Sequence, residues 1–308
     1  MTLRRPPERR RRPRLAEPIH RFADLWRRSP VEDYALSDVH DSQRRALRRM
    51  DSDFEITKHR IRLDVLPASF NGLRIVQLTD IHFGVFLPEV LLRQAVQMVN
   101  ELEPDLVALT GDFVTYSRAY IEPVAEILAG IDSKLGTYAV LGNHDFRVGA
   151  QEVAQALKNR GIEVLRNRHT RLTRHGDALF LAGIDDWYYR PDLPRALKGI
   201  PKPCPTILLS HNPAIIRAAA RVGVPLVLSG HTHGGQINLP FLGNIWGRSK
   251  EQLKYKVGWA RLGPTQIYVS RGIGTIVLPV RFRCSAEIPH LTLEATHNGS
   301  PSSAHSKH

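Results

Sequence analysis

Two cysteines in 308 residues, Cys204 and Cys284, rule out a disulfide framework and offer no thiolate metal site. They fit a reducing compartment. No apolar run approaches the ~20 residues that a membrane-spanning helix needs. The N-terminus is rich in arginine, but it lacks the apolar core of a secretory signal and the apolar stretch that should follow a twin-arginine pair. No internal repeat is visible. Nor do aromatics interleave with basic residues as in a groove that stacks bases, which argues against a nucleic-acid partner. Acidic residues are in deficit, 30 against 43 Lys and Arg, for a net charge of +13. That balance by itself favours an anionic partner: a phosphate substrate, an acidic lipid surface or nucleic acid.

Much of the positive charge is local. Residues 1–30 hold ten arginines against Glu8, Glu17 and Asp24. We expect residues 1–54 to form a basic, largely disordered segment, residues 55–297 the folded domain, and residues 298–308 a Ser-rich disordered tail. Within the first segment, Ile19, Phe22, Ala23 and Trp26 recur at helical spacing among basic residues. That pattern predicts a short helix whose apolar face either lies on an anionic membrane or docks on the domain. The expected location is cytoplasmic, with peripheral attachment to the inner face of the membrane.

The domain reads as strands alternating with helices, hence an α/β fold. Apolar runs at Leu73–Leu78, Leu106–Leu109, Thr137–Leu141, Ile207–Leu209 and Val224–Leu228 predict buried strands. Helices are expected over Pro88–Leu102, Tyr120–Leu128, Gln151–Asn159 and Pro213–Arg221, with late strands at Gln266–Val269 and His290–Leu293. Each of the first five strands runs into ligand-type residues. They are Asp80 and His82, then Asp112, then Asn143 and His144, then His211, then His231 and His233. Open α/β sheets place their sites at the carboxyl ends of strands.

A lone histidine is usually a hydrogen-bonded residue and nothing more, but seven ligand types in that register are a different matter. Asp80, His82, Asp112, Asn143, His211, His231 and His233 form a carboxylate, imidazole and amide set without thiolate. That set suits Mn²⁺, Fe or Zn²⁺ and is a poor match for an all-oxygen calcium cage. Seven ligands exceed one tetrahedral ion and suit two ions ~3.5–4 Å apart that share a carboxylate.

The motifs Asp80-Ile81-His82, Gly111-Asp112, Gly142-Asn143-His144-Asp145, Ser210-His211 and Gly230-His231-Thr232-His233, in that order, resemble the calcineurin-like metallophosphoesterase superfamily. The resemblance covers roughly Leu73 to Leu293. It implies a sandwich of two mixed β-sheets flanked by helices. It also implies that Asp80, His82, Asp112 and His233 hold one of two divalent ions, manganese first among the candidates. Asp112, Asn143, His211 and His231 would hold the other, with Asp112 bridging and catalytic. His144 would stabilise charge on the phosphate or protonate the leaving oxygen; the alternative is that it only supports Asp112. Many members carry Asp three residues after the bridging Asp, where it orients that histidine. Here the position is Thr115, so His144 needs another partner, with Asp145 a candidate.

The stretch Gly72–His82, the run Gly230–Gln236 with Leu239-Pro240-Phe241, and Tyr268–Gly272 are similar to a bacterial branch of membrane-associated phosphodiesterases and UDP-2,3-diacylglucosamine pyrophosphatases. The expected activity is hydrolysis of a phosphodiester or pyrophosphate, with that lipid A precursor as one substrate. The alternatives are a general phosphodiesterase or nuclease, and a non-catalytic binding module on the same fold. Arg147 and Arg271 are candidate phosphate contacts, although each also reads as an ordinary surface arginine. Phe83–Leu87, with Phe86, and Leu239–Leu242, with Phe241, are apolar loops that would line the mouth of the site or else pack the edge of the core.

Overall fold

The structure, a computed structural model, describes residues 54–239, 243–244 and 255–296. The helix expected within residues 18–30, the loop carrying Phe241 and the tail lie outside the described residues.

The described residues open with strand β1 (Glu55–Leu63) and β2 (Arg74–Leu78), followed by helix α1 (Glu89–Glu101), β3 (Leu106–Leu109), helix α2 (Ile121–Leu128) and β4 (Thr137–Ala139). Helix α3 (Asn143–Asn159) then leads to β5 (Glu163–Val164), β6 (Arg168–Arg174), β7 (Asp177–Gly183) and the short helix α4 (Leu193–Ala196). After β8 (Thr206–Leu209) come helix α5 (Ile216–Val222), β9 (Leu226–Ser229), and the short strands β10 (Asn238–Leu239) and β11 (Gly243–Asn244). The last elements are β12 (Gly258–Leu262), β13 (Thr265–Val269) and β14 (Glu287–Ala295).

Twelve of these strands form two six-stranded mixed sheets, ordered β1-β14-β2-β3-β4-β5 and β12-β13-β9-β8-β7-β6, and β10 pairs with β11 in a separate antiparallel ribbon. In the first sheet β2 to β5 are parallel and β14 runs against β2; in the second, β7, β8, β9 and β13 are parallel. Side chains alternate across each strand, and both faces are apolar, as buried parallel strands require. Ile75, Leu106, Ala108, Leu181, Ile207, Leu209 and Leu228 fill the space between the sheets. On the outer face of the first sheet, Val76, Leu78, Val107 and Leu109 pack against Leu92, Ala95, Val99, Val124 and Leu128 of α1 and α2. On the outer face of the second, Leu208, Val227 and Ile267 meet Ile216 and Ala219 of α5. The fold is therefore four-layered, helix on sheet on sheet on helix.

Four strands, β6, β10, β11 and β12, and one helix start were not legible as apolar runs. β6 and β12 are edge strands with charged or half-exposed residues along most of their length. Helix α3 begins eight residues before the expected Gln151, because Asp145 caps it. The Asp145 carboxylate accepts the Gly142 N–H at 2.9 Å. Gly149, with φ 154°, breaks the helix in between and hides that continuity.

The parallel strands bring the carboxyl ends of β2, β3, β8 and β9 to one edge, with the start of α3 just beyond β4. Gln77 ties the two sheets together beneath that edge. Its amide donates to the Thr110 hydroxyl at 2.8 Å and to the Ser229 carbonyl at 3.0 Å.

Candidate metal centre

The backbone bends sharply at five of the seven ligand-type residues. Asp80, His82, Asp112, His231 and His233 all have φ between 48° and 73°. Non-glycine residues rarely occupy this region, and when they do they cluster at functional sites. The turns are packed without slack. A Cβ on Gly142 would overlap the Asp112 carboxylate, and one on Gly230 would overlap Asp80 and Thr79.

Two groups of donor atoms result. Asp80, His82 and His233 form one; Asp112, His211 and His231 form the other. In the first, His82 Nε2 lies 3.0 Å from His233 Nε2, and His233 Nε2 lies 3.2 Å from Asp80 Oδ1. In the second, His211 Nε2 lies 3.1 Å from Asp112 Oδ2 and 3.2 Å from His231 Nδ1. Asp112 Oδ2 is also 3.7 Å from His82 Nε2, so one carboxylate oxygen faces both groups.

The unused edges of these side chains are held in place. The Asp80 carboxylate accepts the His231 N–H at 2.9 and 3.1 Å and the Thr79 hydroxyl at 2.9 Å. Asp112 Oδ1 accepts the His144 N–H at 2.8 Å. His211 Nδ1 donates to the Thr110 carbonyl at 2.8 Å, which leaves the Nε2 lone pair aimed at Asp112. His82 Nδ1 is hydrogen-bonded to the Thr115 hydroxyl. Thr115 therefore serves His82. Asp145, the candidate partner for His144, is committed elsewhere: its carboxylate accepts the N–H groups of Asp112, Phe113, Val114 and Gly142. The His144 imidazole, half-exposed, makes no hydrogen bond among the described residues and packs edge-on to His82 at 5.0 Å.

The electrostatics point to a cation. Burial pulls His82 and His231 down to about 3 and His233 well below its ordinary value, so these imidazoles are neutral lone-pair donors. Burial pushes the Asp80 carboxyl up to about 6. Burial also opposes charge on Asp112, but the neighbouring His211 outweighs it and holds the carboxyl well below its ordinary range. The same pairing lifts His211 well above its ordinary value against its own burial. His211 Nε2 and Asp112 Oδ2 at 3.1 Å require a proton or a cation between them. Asn143 Oδ1 is buried with no hydrogen-bond partner. An orphaned amide oxygen beside converging lone pairs fits a divalent ion.

The remaining sequence candidates separate. Arg147 is exposed on α3, and its charge bears on both His144 and His231. The Arg271 guanidinium instead pairs with Glu287 at 3.2 Å and Glu55 at 2.9 Å, so its charge is committed to carboxylates. Phe83 and Leu87 belong to the core, whereas Phe86 is half-buried, edge-on to the exposed Tyr116 at 6.0 Å.

The sequence reading missed two features of the mouth. Val277, Leu278, Val280 and Phe282 are exposed on one segment. That segment is fastened to the His233 turn through Gln236, whose amide donates to the carbonyls of Ile276 and Leu278 at 3.1 and 2.9 Å. Trp187 and Tyr188 are exposed just after β7. Their signal was available: Asp185-Asp186 follows a strand, as the other site residues do.

Comparison with known proteins places these observations in a family. A family model described as calcineurin-like phosphoesterase matches residues 73–235. The chain is similar to the uncharacterized metallophosphoesterase YkuE of Bacillus subtilis, with 34% identity over 247 residues, covering 79% of this chain and 86% of that protein. It is similar to phosphodiesterase YaeI of Escherichia coli, with 30% identity over 245 residues, covering 78% and 88%. A transmembrane protein with metallophosphoesterase domain from Danio rerio is 36% identical over 253 residues, covering 76% of this chain but 56% of the fish protein. Among the described residues, no helix of this chain is long and apolar enough to cross a membrane.

Proposed function

This chain belongs to the calcineurin-like phosphoesterase family and is a metal-dependent phosphoester hydrolase; from that premise we propose that it cleaves a phosphodiester or pyrophosphate bond in an amphiphilic substrate. The observation that carries the two-ion reading is Asp112 Oδ2, 3.7 Å from His82 and 3.1 Å from His211 and so common to both donor groups. Asp80, His82 and His233 would hold one ion. Asn143, His211 and His231 would hold the other, with Asp112 shared. When bound, a pair of divalent ions, manganese in our reading, supplies Lewis-acid charge and acidifies water into a nucleophile.

The side chains supply the rest. Thr115 and Thr110 fix the ring orientations of His82 and His211. The half-buried His144 imidazole, which makes no hydrogen bond among the described residues, would hydrogen-bond a phosphoryl oxygen or protonate the leaving oxygen. Arg147 adds positive charge on the same side of the mouth.

The substrate class rests on apolar surface beside this charge. The Val277–Phe282 segment, with Phe86 and Tyr116, exposes several large apolar side chains next to the His233 turn. Such a patch wants an apolar partner, and acyl chains joined to a phosphodiester supply one, as in UDP-2,3-diacylglucosamine. The ten arginines of residues 1–30 would bring the enzyme to the anionic inner face of the membrane where such lipids reside. Rates on the diacylated nucleotide sugar and on its deacylated form test the proposal. A strong preference for the acylated form, lost in Phe86→Ser and Leu278→Ser, is expected. Equal rates would remove the lipid reading and leave a general phosphodiesterase.

A further inference from the structure

The turn after β7 holds two large aromatics in solvent beside the second donor group. Trp187 is 45% and Tyr188 57% exposed. The Tyr188 ring centre lies 6.2 Å from that of the ligand His231, with the planes 54° apart.

This turn is built to be rigid. Asp186 is fully buried, and its carboxylate accepts the Tyr188 N–H at 3.0 Å. Its carbonyl accepts the Tyr189 N–H at 2.7 Å. Arg166 grips both oxygens of Asp185, at 2.9 and 3.0 Å. The same guanidinium lies 5.2 Å over the Phe146 ring, and Phe146 stacks on Tyr189 at 4.5 Å with planes 10° apart. Phe146 sits on α3, the helix that begins with Asn143 and His144. The turn is thus bolted to the element that carries the catalytic mouth.

Tyr189 is used in that packing, whereas Trp187 and Tyr188 keep about half of their surface exposed. Rigid exposed aromatics offer large flat area with little ordering cost on binding. They differ from the Val277–Phe282 segment, which is mostly aliphatic and attached to the other donor group. They also share their side of the mouth with the Arg147 charge, which suits a ring tethered to phosphate.

We propose that Trp187 and Tyr188 form a stacking subsite for a planar aromatic ring of the nucleobase class, carried by the phosphate group on the His231 side of the centre. The subsite rests on the phosphohydrolase reading and adds to it a bipartite substrate, with the ring at Trp187 and Tyr188 and the apolar part at Val277–Phe282.

Calorimetric titration of the manganese-loaded full chain with adenosine 5′-monophosphate and with ribose 5-phosphate tests this. Base stacking is expected to make the nucleotide bind about tenfold more tightly. Tyr188→Ala and Trp187→Ala should bring the ratio toward one while retaining the wild-type manganese content, and Tyr188→Phe should keep it. Equal affinities in the wild type, or an unchanged ratio in both alanine variants, would overturn the subsite alone. No manganese-dependent binding of either phosphate would overturn the phosphohydrolase reading and the subsite with it.

Discussion

The Nε2 atoms of His82 and His233 face each other at 3.0 Å, with the two rings stacked at 21°. Both imidazoles are neutral and buried, and each offers an Nε2 lone pair to a metal ion once its proton sits on Nδ1. Metal binding should therefore stabilise the fold. At a manganese concentration about a thousand times Kd, one site contributes ~4 kcal/mol. At roughly 2–4 °C per kcal/mol for a domain of this size, Tm should rise by about 10 °C or more. Differential scanning calorimetry with and without chelator checks it; an unchanged Tm would contradict it.

His144 hydrogen-bonds Asp112 through its backbone N–H, and its half-buried imidazole packs edge-on to His82. His144→Ala should therefore keep both ions while turnover falls ~10²–10⁴-fold. The loss should shrink for a diester with a very good leaving group. Metal analysis and steady-state kinetics on two leaving groups read both effects. A metal-free variant would instead place the imidazole among the ligands.

Asp145 is a structural keystone. Its carboxylate satisfies four buried backbone N–H groups from two loops. Asp145→Ala would strand them at about 1–3 kcal/mol each. Urea denaturation of the metal-free variant should show a loss of at least ~3 kcal/mol. A loss under ~1 kcal/mol would show that the loops satisfy those groups without it.

Glu287 sets an acid limit on stability. Burial raises its carboxyl, but the Arg271 N–H and the Tyr268 and Thr57 hydroxyls outweigh burial and hold it below the ordinary 4.5. A depressed folded value means that its contribution is present above the unfolded pKa and is lost as pH falls through the folded one. Glu287→Gln should be less stable than wild type at neutral pH. The gap should close as pH drops from about 5 toward 3, in denaturation curves at stepped pH. A gap independent of pH would contradict this.

What could be read from the sequence follows from where the physics is local. Apolar runs that end in Asp, Asn or His mark buried parallel strands and their carboxyl ends, so β2, β3, β8 and β9 and their ligand-type residues were legible. The left-handed backbone at Asp80, His82, Asp112, His231 and His233 was not, because it depends on tertiary packing, such as that of Asp112 against Gly142 and of Asp80 against Gly230. Nor were the partners of Thr115, Asp145 and Arg271. Those depend on which loops meet across the two sheets, and residue type alone offered several choices. β6 and β12 escaped because edge strands need no apolar run. Asp185-Asp186 marked the strand end before Trp187 and Tyr188, but only their exposure makes the two aromatics informative.

The central claim is a two-ion centre joined through Asp112, and metal stoichiometry tests it most directly. Plasma mass spectrometry on the manganese-reconstituted wild type should give two equivalents per chain. Asp112→Ala should fall to near zero with loss of hydrolysis, because two ions without the shared carboxylate repel strongly in a buried site. One equivalent in the wild type, or two equivalents with wild-type turnover in Asp112→Ala, would contradict the account.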